Sequence, residues 1–135
     1  MRVRDYMTQK VYTVSEQTTI KEAVRMLLPH HIRHLPVTNG SRLVGIVTDR
    51  DIRRASPGLL AGIGREDYEQ VLLTTPVSRI MTREPLTVTP DTPLVDAVRL
   101  MVEKKFGSFP VVEGDHLVGI FTEIDALKVL LEKMQ

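Results

Sequence analysis

Two short stretches carry residues arranged for polar chemistry, GIVTDRD at 45–51 and GIFTEID at 119–125. Each contains a threonine followed three residues later by an aspartate, Thr48-x-x-Asp51 and Thr122-x-x-Asp125. At a helix start this spacing is a capping box with Asp in place of the usual Glu or Gln, and a cap contributes roughly 1 kcal/mol with no ligand involved. The same geometry suits a phosphorylated sugar. A strand running into a helix presents unpaired N–H groups and the positive end of the helix dipole, which suits a phosphate. The Thr hydroxyl adds a donor, and a carboxylate one turn further on can accept two ribose hydroxyls. The spacing alone serves both readings equally.

Charge separates the two stretches. Arg33, His34, Arg50, Arg53 and Arg54 lie close to the first, whereas Gly107, Ser108, Ile124, Leu127 and Lys128 fill the matching places by the second. Residues 3–55 hold nine basic and five acidic side chains, a net of +4, and residues 77–129 hold six and eight, a net of −2. A solvated face explains one arginine pair but not so lopsided a duplicate, so a multiply charged anion is expected mainly at the first stretch. Other chemistry is absent from the sequence. There is no GxSxG, HExxH, Walker A loop or GxGxxG. The chain has no Cys, which excludes disulfides, thiolate catalysis and Cys-based zinc sites. His30 and His34 would meet only on a continuous helix, which Pro29 opposes; a basic helix end is the plain reading, with no metal and no catalytic residue assigned.

The elements that must position these residues come in duplicate. Residues 3–55 align without a gap on 77–129 at an offset of 74, with 18 of 53 pairs identical. Met7-Thr8 matches Met81-Thr82, Pro36-Val37 matches Pro110-Val111, and LVGI recurs at 43–46 and 117–120. Each copy reads β-α-β-β-α. A short strand surrounds Thr13-Val14 and Thr87-Val88. The following helix has the stripe Ile20, Ala23, Val24, Leu27, Leu28 in one copy and Leu94, Ala97, Val98, Met101, Val102 in the other. Pro29 is expected to end or kink the first helix near Leu28, and Thr92-Pro93 to form an N-cap with Pro at the first helical position. Hairpins turn at Asn39-Gly40 and Glu113-Gly114, and a second helix starts after Thr48 and Thr122. This divides the chain into units at 1–55 and 77–135, joined by a connector at 56–76. Ser56-Pro57-Gly58 breaks the chain there, and Arg65–Leu73 can form a helix with Tyr68, Val71 and Leu72 on one face. One 53-residue unit buries little core alone, so the two should pack about a pseudo-twofold axis.

Composition limits the function classes. With 135 residues, 42% hydrophobic and 26% charged, the chain is an ordinary globular protein, and its 4% aromatics make the core aliphatic. A net charge of +1 and few aromatics disfavour nucleic-acid binding. No run approaches the roughly 18 apolar residues of a membrane span, and a cytoplasmic location is the default expectation.

The MT…TV opening, the HLPV and FPVV strands, LVGI(V/F)T and the closing TxxD, in this order twice over, resemble a tandem cystathionine-β-synthase (CBS) domain pair, or Bateman module. The connector and the DIRRA segment are similar to the CBS portion of the acetoin-utilisation protein family, without its C-terminal ACT domain. The resemblance implies an α/β (α+β) fold of two β-α-β-β-α CBS units and adenosine-containing ligands in two clefts between them. It also implies a homodimer and a non-catalytic role in regulating a partner protein. By position, the first cleft would use Asp51 for ribose, Thr48, Arg33 and His34 for phosphate, and Ile46 under the base, with Thr82, Leu86, Phe106 and Gly107 around the adenine. The second would use Asp125, Thr122 and Ile120, closed by Thr8, Tyr12 and Ile32. ATP, ADP or AMP suits the first. Without a basic pair, adenosine, a monophosphate or S-adenosylmethionine suits the second, if it fills at all. The competing reading is a constitutive dimerisation module, without a nucleotide, whose TxxD elements are caps alone. Leu130, Leu131 and Met134 would be its dimer face if exposed.

Overall fold

Helix α1 (Ile20–His30) forms where the apolar stripe begins, capped by the Thr19 hydroxyl, which accepts the Glu22 N–H at 3.2 Å. It buries Ile20, Ala23 and Leu27, while Leu28 stays 71% exposed. The stripe expected from the sequence is thus one residue too wide, and α4 (Leu94–Lys104) repeats this: Leu94, Ala97 and Met101 are buried and Val102 is exposed. As expected, α1 ends close to Leu28, two residues on at His30. The helix continues to His30, because a proline in the last turn removes a single hydrogen bond, and left-handed His31 (φ 54°) closes it with Ile32 N–H donating to Leu27 at 3.2 Å. Thr92 is not the cap of α4. Its hydroxyl accepts the Thr89 N–H at 3.0 Å and closes the preceding turn, leaving Pro93 as the N-cap residue.

The computed structural model describes residues 1–55 and 64–135, so the break expected at Ser56-Pro57-Gly58 lies outside the described residues, as does most of the stretch after it. The hairpins are β1 (His34–Asn39) with β2 (Arg42–Thr48), and β4 (Ser108–Glu113) with β5 (His116–Thr122). Their strands run one residue longer than the sequence suggested, so the turns are Gly40-Ser41 and Gly114-Asp115, with both glycines at φ +63°. Helices α2 (Asp49–Ala55) and α5 (Glu123–Met134) follow β2 and β5 directly. The strands expected around Val14 and Val88 reduce to single parallel bridges, Val14 to Val37 and Val88 to Val111. Helix α3 (Arg65–Thr74) covers the expected helical part of the connector and packs Leu72 on a core. A two-residue strand, β3 (Thr82–Arg83), pairs antiparallel with Ile46 and Gly45 of β2.

The fold is mixed α+β, and its compact units are built across the repeat. A central unit comprises Tyr12–Gly40 and Val44–Glu84; a terminal unit comprises Met1–Val11, Ser41–Leu43 and Pro85–Gln135. The opening of each copy therefore packs with the body of the other. In the terminal unit Val3 lies in a core with Val88, Leu94, Phe109, Val111 and Phe121, its N–H bonded to Thr92 at 2.9 Å. In the central unit Val77 joins Val14, Ile20, Leu35, Val37 and Val47, its N–H bonded to Thr18 at 2.7 Å. Glycine makes the close approach possible. A Cβ on Gly119 would lie 2.9 Å from the Thr8 carbonyl oxygen, and one on Gly45 would lie 2.9 Å from that of Thr82. The recurrence of MT and LVGI is one interaction made twice.

Candidate functional site

In the central unit, β2 carries buried Ile46 and then Thr48 to the start of α2. The Thr48 N–H donates to Asp51 Oδ2 at 2.9 Å, and the Asp51 N–H donates to Thr48 Oγ1 at 3.1 Å. This is the capping box expected from the spacing. Asp51 is half-buried, and among the described residues its Oδ1 accepts no hydrogen bond. The Arg33 carbonyl accepts the Asp49 N–H at 3.0 Å, which fixes Arg33 and the start of β1 at His34 beside this element. Arg33, Arg50, Arg53 and Arg54 are exposed, and Arg53 pairs along its own helix with Asp49 at 3.7 Å. Thr82 joins the group through its pairing with Ile46.

The terminal unit repeats the box with a difference. The Thr122 N–H donates to Asp125 Oδ2 at 2.9 Å and the Asp125 N–H reaches Thr122 Oγ1 at 3.4 Å. Asp125 is only 3% exposed, and the Thr8 hydroxyl lies 3.1 Å from its Oδ1 and 3.3 Å from its Oδ2. Thr8 is held there by two 2.9 Å backbone hydrogen bonds to Ile120. Thr8, Ile120, Thr122 and Asp125 thus form one cluster. The Gly107 carbonyl accepts the Glu123 N–H at 3.0 Å, in the position Arg33 occupies in the central unit.

The remaining site candidates fall as follows. Phe106 and Gly107 flank an apolar groove of about 630 Å³ in the terminal unit, with Met101, Val102, Ala126 and Leu127. Leu86, also in this unit, is exposed. Tyr12 and Ile32 belong to the central unit, where the Tyr12 ring stacks on His30 with centroids 4.1 Å apart and Ile32 packs on the core. Sequence reasoning missed the Thr8–Asp125 bond and the groove. The available signal for the groove was the run of apolar residues Val98, Val102, Leu127 and Leu130 on α4 and α5, more than each helix needs for one buried face. Among the described residues no three His, Asp or Glu side chains converge as a metal ion requires.

Two ionisations are shifted at the opening of the chain. Arg4, which hydrogen-bonds the Asp91 carboxylate, and Arg2 beside it hold Asp91 below the usual carboxylate range. The Glu132 carboxylate, accepting the Tyr6 hydroxyl at 2.8 Å, pushes that phenol up. Both contacts tie the opening of the chain into the terminal unit.

The CBS domain profile matches residues 3–58 and 77–132. The chain belongs to the CBS domain family. It is 33% identical to a CBS domain-containing protein of Dictyostelium discoideum, over 98% of this chain and 93% of that protein. It is also 32% identical over 98% of its length to an uncharacterised protein of Methanocaldococcus jannaschii, but spans only 45% of that relative. Among solved structures, AcuB of Vibrio cholerae is similar with a TM-score of 0.84 and 28% identity, covering 99% of this chain and 93% of the other. CBSX2 in complex with AMP gives 0.82 and 30%, covering 99% and 98%. The CBS domain pair of protein MJ0100, in complex with 5′-methylthioadenosine and S-adenosyl-L-methionine, gives 0.80 and 29%, covering 98% of each chain. The tandem CBS pair inferred from the repeat is thereby established. No helix among the described residues is long and apolar enough to cross a membrane.

Proposed function

We propose that this CBS pair is a non-catalytic regulatory module that binds an adenine nucleotide, ATP, ADP or AMP, at the Thr48–Asp51 element and signals to a partner protein. The observation that carries the reading is the uncommitted Asp51 oxygen in an arginine-rich setting. A ribose has two adjacent hydroxyls to donate to such a carboxylate, and the phosphates need cations. In this reading Asp51 takes the ribose, Thr48, Arg33 and His34 take phosphate oxygens, and Ile46 and Thr82 bound the base side. The AMP seen in CBSX2 and the adenosyl ligands seen in the MJ0100 pair support the ligand class. The nucleotide regulates only by binding two conformations of the module with different affinity; tight binding to both would shift nothing. The module acts as a homodimer, because Leu130, Leu131 and Met134 on α5 are all more than half exposed and a second copy would cover them.

The completed capping boxes favour a second reading, a constitutive dimerisation module without a nucleotide. Calorimetric titration with ATP, ADP, AMP and S-adenosylmethionine decides between the two. Binding that survives Asp125→Ala and disappears in Asp51→Ala is the expected result. Silence from all four ligands in the folded wild type would establish the second reading instead.

A further inference from the structure

We infer that Thr8 is an autoinhibitory clasp: its hydroxyl occupies the Asp125 carboxylate that a ribose would need, so the module takes its first nucleotide at Asp51 alone. The inference rests on the nucleotide reading above and adds the number of ligands and what sets it. Two threonines hold the same place in the repeat, Thr8 beside Ile120 and Thr82 beside Ile46. The Thr8 hydroxyl reaches Asp125 Oδ1 at 3.1 Å, whereas among the described residues the Thr82 hydroxyl makes no bond to Asp51. Asp125 Oδ2 is already taken by the Thr122 N–H at 2.9 Å, so Thr8 fills the oxygen that would otherwise be open. Among the described residues Asp51 keeps that oxygen available and is half-buried, while Asp125 is 3% exposed.

The clasp is positioned by the backbone. Both hydrogen bonds between Thr8 and Ile120 are 2.9 Å, and Gly119 lets the Thr8 carbonyl lie against β5. A hydrogen bond to an ionised group changes an equilibrium constant by roughly tenfold to a hundredfold, and a ribose at Asp125 must overcome that factor.

Two measurements test this. The first needs no nucleotide: a double-mutant cycle of Thr8→Val and Asp125→Ala, followed by urea unfolding, with Thr8→Ser as the hydroxyl-bearing control. Coupling on the order of tenfold in the unfolding constant is expected, and independent effects would overturn the clasp. The second is calorimetric titration with AMP. Wild type and Thr8→Ser should take one AMP per chain, and Thr8→Val a second that disappears again when Asp125→Ala is added. One AMP in both wild type and Thr8→Val, or two in wild type, would overturn the clasp and leave the nucleotide reading intact. No AMP in any variant, with the coupling present, would sink the nucleotide reading and reduce the Thr8–Asp125 bond to a structural one.

Discussion

Replacing Gly119 with alanine tests the contact on which the terminal unit and its Thr8–Asp125 cluster depend. The new methyl carbon would lie 2.9 Å from the Thr8 carbonyl oxygen and 3.0 Å from the Met7 sulfur. The thioether can swing aside; the carbonyl cannot, because Thr8 is bonded to Ile120 through both its N–H and its C=O at 2.9 Å. Relief requires the Met7–Thr8 segment to lift from β5, weakening two backbone bonds worth about 0.5–1.5 kcal/mol each. Forced overpacking elsewhere costs about 1–3 kcal/mol, so a destabilisation of about 2–3 kcal/mol is expected. For a chain of this size that lowers Tm by roughly 6–12 °C. Urea unfolding of Gly119→Ala should show a lower midpoint with an unchanged slope. Gly64→Ala, where a Cβ meets nothing within 4 Å, is the control and should stay within about 0.5 kcal/mol of wild type. A Gly119→Ala protein as stable as that control would refute the close approach of Thr8 to β5.

Two other outcomes follow from exposed groups. Asp91 is held below its ordinary 3.8 by Arg4 and then Arg2, so its stabilising contribution is present above the unfolded pKa and is lost as pH falls through the lower folded value. Arg4→Met should move the Asp91 carbonyl-carbon titration in NMR back toward the ordinary range, and an unmoved midpoint would show that Arg4 is not its partner. On the proposed homodimer, wild type should sediment as a dimer and Leu130→Glu with Leu131→Glu as a folded monomer, since both side chains are more than half exposed on α5; a monomeric wild type, or a dimer that persists in the variant, would refute this interface.

What was legible in the sequence was what is local or repeated. The stripe from Ile20 to Leu27 has the helical period, and its copy 74 residues on makes the assignment twice. The period overreached at Leu28 and Val102 because each sits about 100° round the helix from its buried neighbour, Leu27 or Met101, off the face that meets the core. Thr92 failed as a cap for a local reason: its hydroxyl is used by the Thr89 N–H, as the Thr18 hydroxyl is by Ser15. The two TxxD boxes were readable because their partners are three residues apart. The resemblance grouped Thr8 with Asp125, but a direct bond across 117 residues has no periodic signature and shows only in the fold.

The exchange of openings explains why the unit occurs in duplicate. Val3 and Val77 are equivalent residues, both fully buried, and each completes the core around the other copy's first helix. Burying a valine contributes about 1.5–3 kcal/mol, a large share of the stability of so small a core. A single copy would therefore lack the residue that closes it. The same exchange links core to site. The strand that leads to Thr48 and Asp51 is paired through Ile46 with Thr82, whose chain continues into Pro85 and the terminal unit. In the proposed function, a nucleotide drawing on Asp51 would bear on a strand held by the other copy's opening. Such binding changes a partner's state only if the Ile46–Thr82 pairing differs between the two conformations, which makes this short ladder the element whose equilibrium the ligand must bias.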